Sequence, residues 1–108
     1  MNDVSLYGPH GTKIPSIEGR VSHVSIYDNY PVTEVWLDNQ SDVYSLNAVV
    51  ESFRPGDKIK LYIPKPDNHP KDVIAFEIFK EDSDVAWMRR ILPSLEKHPD
   101  YKFESMTL

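Results

Sequence analysis

The sequence predicts a mainly β protein, a small five-stranded β-barrel followed by a C-terminal α-helix, and three observations carry that prediction. Between Ile17 and Lys80 the apolar residues recur every second position in short runs separated by turn residues, which is the period of half-buried strands. A phase slip near Ser22-His23 moves that alternation by one residue, as a β-bulge does when it bends a long strand. After Lys80 the period changes to that of a helix, with Val85, Met88, Ile91, Leu92 and Leu95 on one stripe.

The elements follow in order. Residues 1–15 contain Gly8, Pro9, His10 and Gly11 with little apolar periodicity and are expected to be a flexible arm. The barrel is expected over 16–80. Its first strand carries Ile17, Gly19 and Val21 on one face, then Val24 and Ile26 in the other phase. Asp28-Asn29-Tyr30-Pro31 turns the chain, and Thr33, Val35 and Leu37 then alternate with Glu34, Trp36 and Asp38 in a second strand. Val43 to Leu46 is a third strand whose facing the pattern leaves open. Val49, Val50 and Phe53 stand at helical spacing, so a single helical turn is expected within 47–53.

Arg54-Pro55-Gly56-Asp57 is the strongest local signal. Proline sets φ near −65° and the following glycine supplies the positive φ of a type II turn, launching a fourth strand with Ile59, Leu61 and Ile63 inward and Lys58, Lys60 and Tyr62 outward. A stiff, proline-rich loop over 64–72 precedes a fifth strand whose best core face is Ile74, Phe76 and Ile78. The helix is placed within 81–98, with acidic residues at its start and Arg89, Arg90 and Lys97 toward its end, and residues 99–108 form a tail. The whole is one domain.

Over about residues 16–80 this arrangement resembles the OB-fold, a five-stranded Greek-key barrel, with Arg54-Pro55-Gly56-Asp57-Lys58-Ile59 matching its habitual entry to the fourth strand. An SH3-like barrel is the alternative, because the stretch between strands three and four has room for barely one helical turn. The resemblance implies a binding face on the outer side of strands two and three, where single-stranded nucleic acid stacks on aromatic side chains.

Composition removes several kinds of chemistry. The chain has no cysteine, so disulfides, thiolate metal sites and thiol catalysis are absent. None of the serines lies in a G-x-S-x-G or S-x-x-K frame, and four glycines make no phosphate-binding loop. His10, His23, His69 and His98 show no metal-ligand spacing. Asp67, His69 and Asp72 are the one local cluster of ligand types, better read as loop solvation. No cofactor, metal or catalytic residue is therefore expected. No basic and apolar leader stands at the N-terminus and no run reaches the ~18 apolar residues of a membrane span, so a soluble, cytoplasmic protein without membrane contact is expected.

Charge then discriminates between binding partners. The net charge of −5 arises in residues 1–57, where three Lys/Arg face eight carboxylates; the remainder is balanced. The acidity surrounds the face that would have to meet phosphates, which argues against nucleic acid. The expected function is a non-enzymatic protein-interaction or adaptor module, its site formed by Trp36 with Glu34, Asp38, Tyr44 and Tyr62. Its partner is a protein with a basic surface or a second copy of the chain. Single-stranded nucleic-acid binding through the same face, with Lys58 and Lys60 as cations, is the alternative, and an enzyme of unknown type the second.

Overall fold

The computed structural model describes residues 4–81, 83–96 and 98–105. Nine strands, a 3-10 turn at Pro9–Gly11 and one short α-helix occupy them: β1 (Val4–Tyr7), β2 (Ser16–Tyr27), β3 (Val32–Leu37), β4 (Tyr44–Leu46), β5 (Lys58–Tyr62), β6 (Lys71–Val73), β7 (Ala75–Phe79), β8 (Met88–Ile91), α1 (Pro93–Glu96) and β9 (Lys102–Ser105). The protein is mainly β. Seven strands form one sheet in the order β6-β4-β3-β2-β5-β7-β8, and β1 pairs with β9 in a separate two-stranded ribbon.

β2 is the axis of the sheet. Its first half, Ser16 to Arg20, pairs with β5, and its second half, His23 to Tyr27, pairs with β3. The register with β3 shifts between Val21 and His23, so a bulge stands where the alternation slips. The extra residue, Ser22, donates its hydroxyl to the Trp36 carbonyl at 3.0 Å. The bulge keeps apolar residues pointing inward on both halves: Ile17 and Val24, one on each side of it, pack against the same core as buried Val21.

That core is shared by both halves of the sheet. Val21, Val35, Leu37, Leu46, Ile59, Leu61, Val73, Phe76 and Ile78 belong to one buried cluster. The radius of gyration, 13.4 Å, is close to the roughly 13 Å of a compact chain of this length, so the sheet curls around the cluster rather than lying flat. Its hydrogen-bonded order is nevertheless open, ending at β6 and β8 among the described residues, so the expected closed barrel is not present as a continuous ladder. Between Arg54 and Asp57 the type II turn is in place: Asp57 N–H donates to the Arg54 carbonyl at 3.0 Å, and Gly56 has φ +91°.

Three expectations are corrected. The segment 47–53 is not helical, because Thr33 takes its backbone groups. The buried Thr33 hydroxyl donates to the Ala48 carbonyl at 2.7 Å and accepts from Val50 N–H at 2.9 Å, holding an extended segment whose Val50 and Phe53 enter the core. The C-terminal helix is also not there. Met88 to Ile91 are β8, paired with Ile78 to Ala75, and only Pro93–Glu96 is helical, starting at the proline whose missing N–H costs nothing at a first helical position. The edge of β7 needed backbone partners, and a ladder supplied them at the expense of local helix period. Finally, the stretch 1–15 contains β1, with Leu6 fully buried, and 99–108 contains its partner β9. Neither end was visible in the alternation, because each strand has four residues and the partners are at opposite ends of the chain.

The ribbon lies over the outer face of β5 and β7. Leu6, Ile14, Tyr62 and Ala75 form a second buried cluster, joined by Ile91, Tyr101 and Phe103. This explains why β7 is buried on both sides. Among the described residues no helix is long and apolar enough to cross a membrane.

Replacing Thr33 with valine preserves shape while leaving the Val50 N–H and Ala48 carbonyl without partners inside the fold. Urea unfolding should show a loss of about 1–3 kcal/mol, and an unchanged midpoint would remove Thr33 as the determinant of this segment.

Candidate functional site

The outer face of β2, β3, β4 and β6 carries the sequence-predicted site, in a different composition. Alternation along β3 buries Thr33, Val35 and Leu37 and turns Val32, Glu34 and Trp36 outward. Because of the bulge, the outward residues of β2 are His23, Ser25 and Tyr27, and the register sets them opposite Trp36, Glu34 and Val32. Glu34 is also opposite Ser45 of β4, and Ser45 is opposite Asp72 of β6. Ser25, Glu34, Ser45 and Asp72 thus form one row across four strands, next to the His23–Trp36 row.

Trp36 is half-buried, its ring 5.0 Å from that of His23 and tilted by 48°. The imidazole covers part of the indole, so the tryptophan rests on its own sheet rather than under a helix. His23 Nε2 is 3.2 Å from Ser25 Oγ. Exposed Tyr27 extends the surface toward the β2–β3 turn, where Tyr30 is also exposed. The Tyr27 phenol is pushed up by its hydrogen bond to Glu34 and by that carboxylate's charge, which ties the tyrosine to the acidic row. Asp38, exposed, follows the end of β3, with its N–H on the Arg20 carbonyl at 2.9 Å.

Two predicted site residues are elsewhere. Tyr44 is 0% exposed, with its ring in the main core and its hydroxyl donating to Gln40. Tyr62 is 1% exposed: the ribbon covers it, Phe103 meets its ring edge-on at 5.5 Å, and its hydroxyl donates to buried Glu77. Alternation placed Tyr62 correctly on the outward face of β5, but that face is itself covered by β1 and β9. Lys60, on the same face, is diverted to the Val4 carbonyl at 2.9 Å. Of the five predicted residues, Trp36, Glu34 and Asp38 remain on the surface.

His23, Ser25, Ser45 and Asp72 complete the face. The phase slip contained the signal for the first two, since it reverses which residues of β2 point outward; Asp72 required the β4–β6 pairing, which is not local. Asp67 and His69 do not join Asp72 in a ligand set, and among the described residues no three His, Asp or Glu side chains gather as metal ligands would. Strand positions on this face carry two carboxylates, Glu34 and Asp72, and no lysine or arginine among the residues described.

No family model, curated protein sequence or solved structure matches this chain.

The burial of Tyr62 has a pH consequence. Burial, then the hydrogen bond to Glu77 and its charge, raise the phenol far above its ordinary range, with Arg89 opposing. The folded state therefore keeps a proton that the unfolded chain releases near pH 10, so its stabilising effect is complete below that pH and declines as pH rises above it. Stability against thermal unfolding should fall above about pH 10 by at most about 1.4 kcal/mol per pH unit from this group, and Tyr62→Phe should flatten that decline. An equal slope in the variant would place the effect on other tyrosines.

Proposed function

We propose that this protein is a non-enzymatic binding module that takes a cationic protein segment on the outer face of β2, β3, β4 and β6. The observation that supports the reading most directly is the in-register row Ser25, Glu34, Ser45, Asp72 beside the His23–Trp36 pair. A lysine or arginine over an indole face gains about 0.5–2 kcal/mol, more as water is excluded. Glu34 and Asp72 are two strand spacings apart, about 9.6 Å, and Glu34 is about 6.8 Å along β3 from Trp36. An extended peptide repeats its side chains on one face at the same ~6.8 Å, so alternate basic residues reach Trp36 and Glu34 together.

The same face suits single-stranded nucleic acid poorly. Stacking on Trp36 is geometrically open to a base, yet phosphates beside it would meet Glu34 and Asp72 with no strand cation to release counterions.

The reading includes an OB-like closure of the sheet. β6 and β7 are separated by Ile74 alone, and β6 pairs in parallel with β4, so one continuous chain segment links the β4 side to the β5 side around the common core. Parallel pairing of β4 with β6, which stand at the expected barrel's third strand and at the entry to its fifth, supports the OB-like order over the SH3-like one.

With Trp87→Phe as background, Trp36 becomes the sole tryptophan and its emission reports this face. Titration with an oligolysine peptide in low salt should shift that emission, 0.5 M salt should abolish the shift, and Glu34→Gln with Asp72→Asn should weaken binding about tenfold. Silence toward oligolysine together with a salt-sensitive response to oligo-dT would overturn the proposal in favour of nucleic acid.

A further inference from the structure

The acidic face holds one group that can itself become a cation. Histidine ordinarily changes charge between about pH 5 and 8, and among the described residues His23 is the one histidine on β2, β3, β4 or β6. Unbroken alternation from buried Val21 would turn His23 inward. The bulge at Ser22 sends Val24 into the core instead and sets His23 outward, exposed, opposite Trp36. There the imidazole already occupies the place of a cation on the indole, with ring centroids 5.0 Å apart and planes tilted by 48°. Its Nε2 is 3.2 Å from Ser25 Oγ, a hydroxyl that accepts from an imidazolium N–H. The charged groups around it come from three elements. β3 and its end place Glu34 and Asp38 diagonally across from it, on either side of Trp36. On β2 the next outward titratable group is Tyr27, whose phenol is hydrogen-bonded to Glu34. Beyond the bulge Arg20 donates to the Gly56 carbonyl at 3.1 Å, and in that same turn Asp57 is paired with Lys80 at 2.6 Å.

Resting on the reading above, we propose that His23 is a pH gate on the acidic face: as neutral imidazole it leaves Trp36 and Glu34 to the cationic segment, and as imidazolium it takes the place of that segment's charge. A cation is attracted to an indole when it lies within about 6 Å of the ring centroid. His23 meets that condition as it stands, so protonation alone makes it the cation of the pair. An arriving lysine or arginine then meets a like charge on the same ring, and the pull of Glu34 and Asp38 is already partly neutralised. Two cations competing for one indole and its flanking carboxylates exclude each other. The sign follows: the binding-competent form is the deprotonated one, so affinity is full above the histidine range and falls as pH drops through it. By linkage the bound segment must in turn drive the proton off His23. Carboxylates ordinarily titrate near pH 4, about two units lower than histidine, so their protonation falls outside this window.

Two readouts on the full chain test the gate, both with Trp87→Phe so that Trp36 alone emits. The first needs no ligand. An imidazolium quenches an indole that it touches far more than a neutral imidazole does, so Trp36 emission should fall between about pH 8 and about pH 5.5, and His23→Gln should abolish the fall. A flat profile with His23 present, or the same fall in the variant, overturns the proposal at the contact itself. The second is titration with oligolysine in low salt. Affinity should be about tenfold weaker at about pH 5.5 than at about pH 8, and in His23→Gln the two affinities should converge. Thermal melts verify folding, and His23→Phe, which keeps an uncharged ring on the indole, replaces a glutamine variant that does not fold. Equal affinity at both pH values with His23 present, or a ratio that persists in the variants, refutes the gate and leaves the acidic-face reading standing. Absence of oligolysine binding at the higher pH refutes that reading, and the gate with it, even where the emission of the free protein titrates.

Discussion

A single carboxylate organises the second half of this molecule. Glu77 is 2% exposed in the middle of β7, and a charge buried that deeply is tolerated only when its oxygens are fully engaged. Arg89 supplies two donors, Nε at 3.0 Å and Nη2 at 2.8 Å, the Tyr62 hydroxyl a third, and Lys60 stands 3.9 Å away. The same partners reach beyond the sheet. Lys60 donates to the Val4 carbonyl of β1, which also stands 3.3 Å from the Tyr62 hydroxyl oxygen, Arg89 lies over the Phe103 ring of β9, and Phe103 packs on Tyr62. Five strands are thereby committed at once, and among the described residues no buried side-chain polar atom is left without a partner.

The requirement explains departures from local propensity. Arg89 meets Glu77 across a strand pair, and a helix over the same residues would not hold the backbone register that aligns them. Residues 88–91 therefore follow the ladder although Met88, Ile91 and Leu92 are spaced for a helical stripe. Tyr62 shows the same cause from the other side. Its position on the outward face is right by alternation, and its burial comes from two short strands that the chain contributes from its opposite ends.

What the sequence makes legible is therefore what is local. The bulge at Ser22, the inward sets Val35/Leu37 and Ile59/Leu61, and the turn at Pro55-Gly56 each follow from a few neighbouring residues. The buried glutamate, the covering ribbon and the acidic row all depend on partners far along the chain, and periodicity carries no information about those. Half of the candidate site is of the first kind, since Trp36 and Glu34 follow from alternation on β3. Its other half, His23, Ser25, Ser45 and Asp72, is assembled by register. Charge behaves likewise: the excess of carboxylates in residues 1–57 is a property of the chain, whereas the acidic face is a property of pairing.

The central claim is that Glu77 joins β8 and the β1–β9 ribbon to the sheet as one cooperative unit. Native-state amide hydrogen exchange on Glu77→Gln, which keeps size and removes charge, tests it most directly. The account predicts that protection in β1, β8 and β9 falls together, by about a hundredfold for a loss near 3 kcal/mol, while β3 and β4 retain theirs. Protection that is unchanged in those three strands, or lost evenly through the whole sheet, would contradict it.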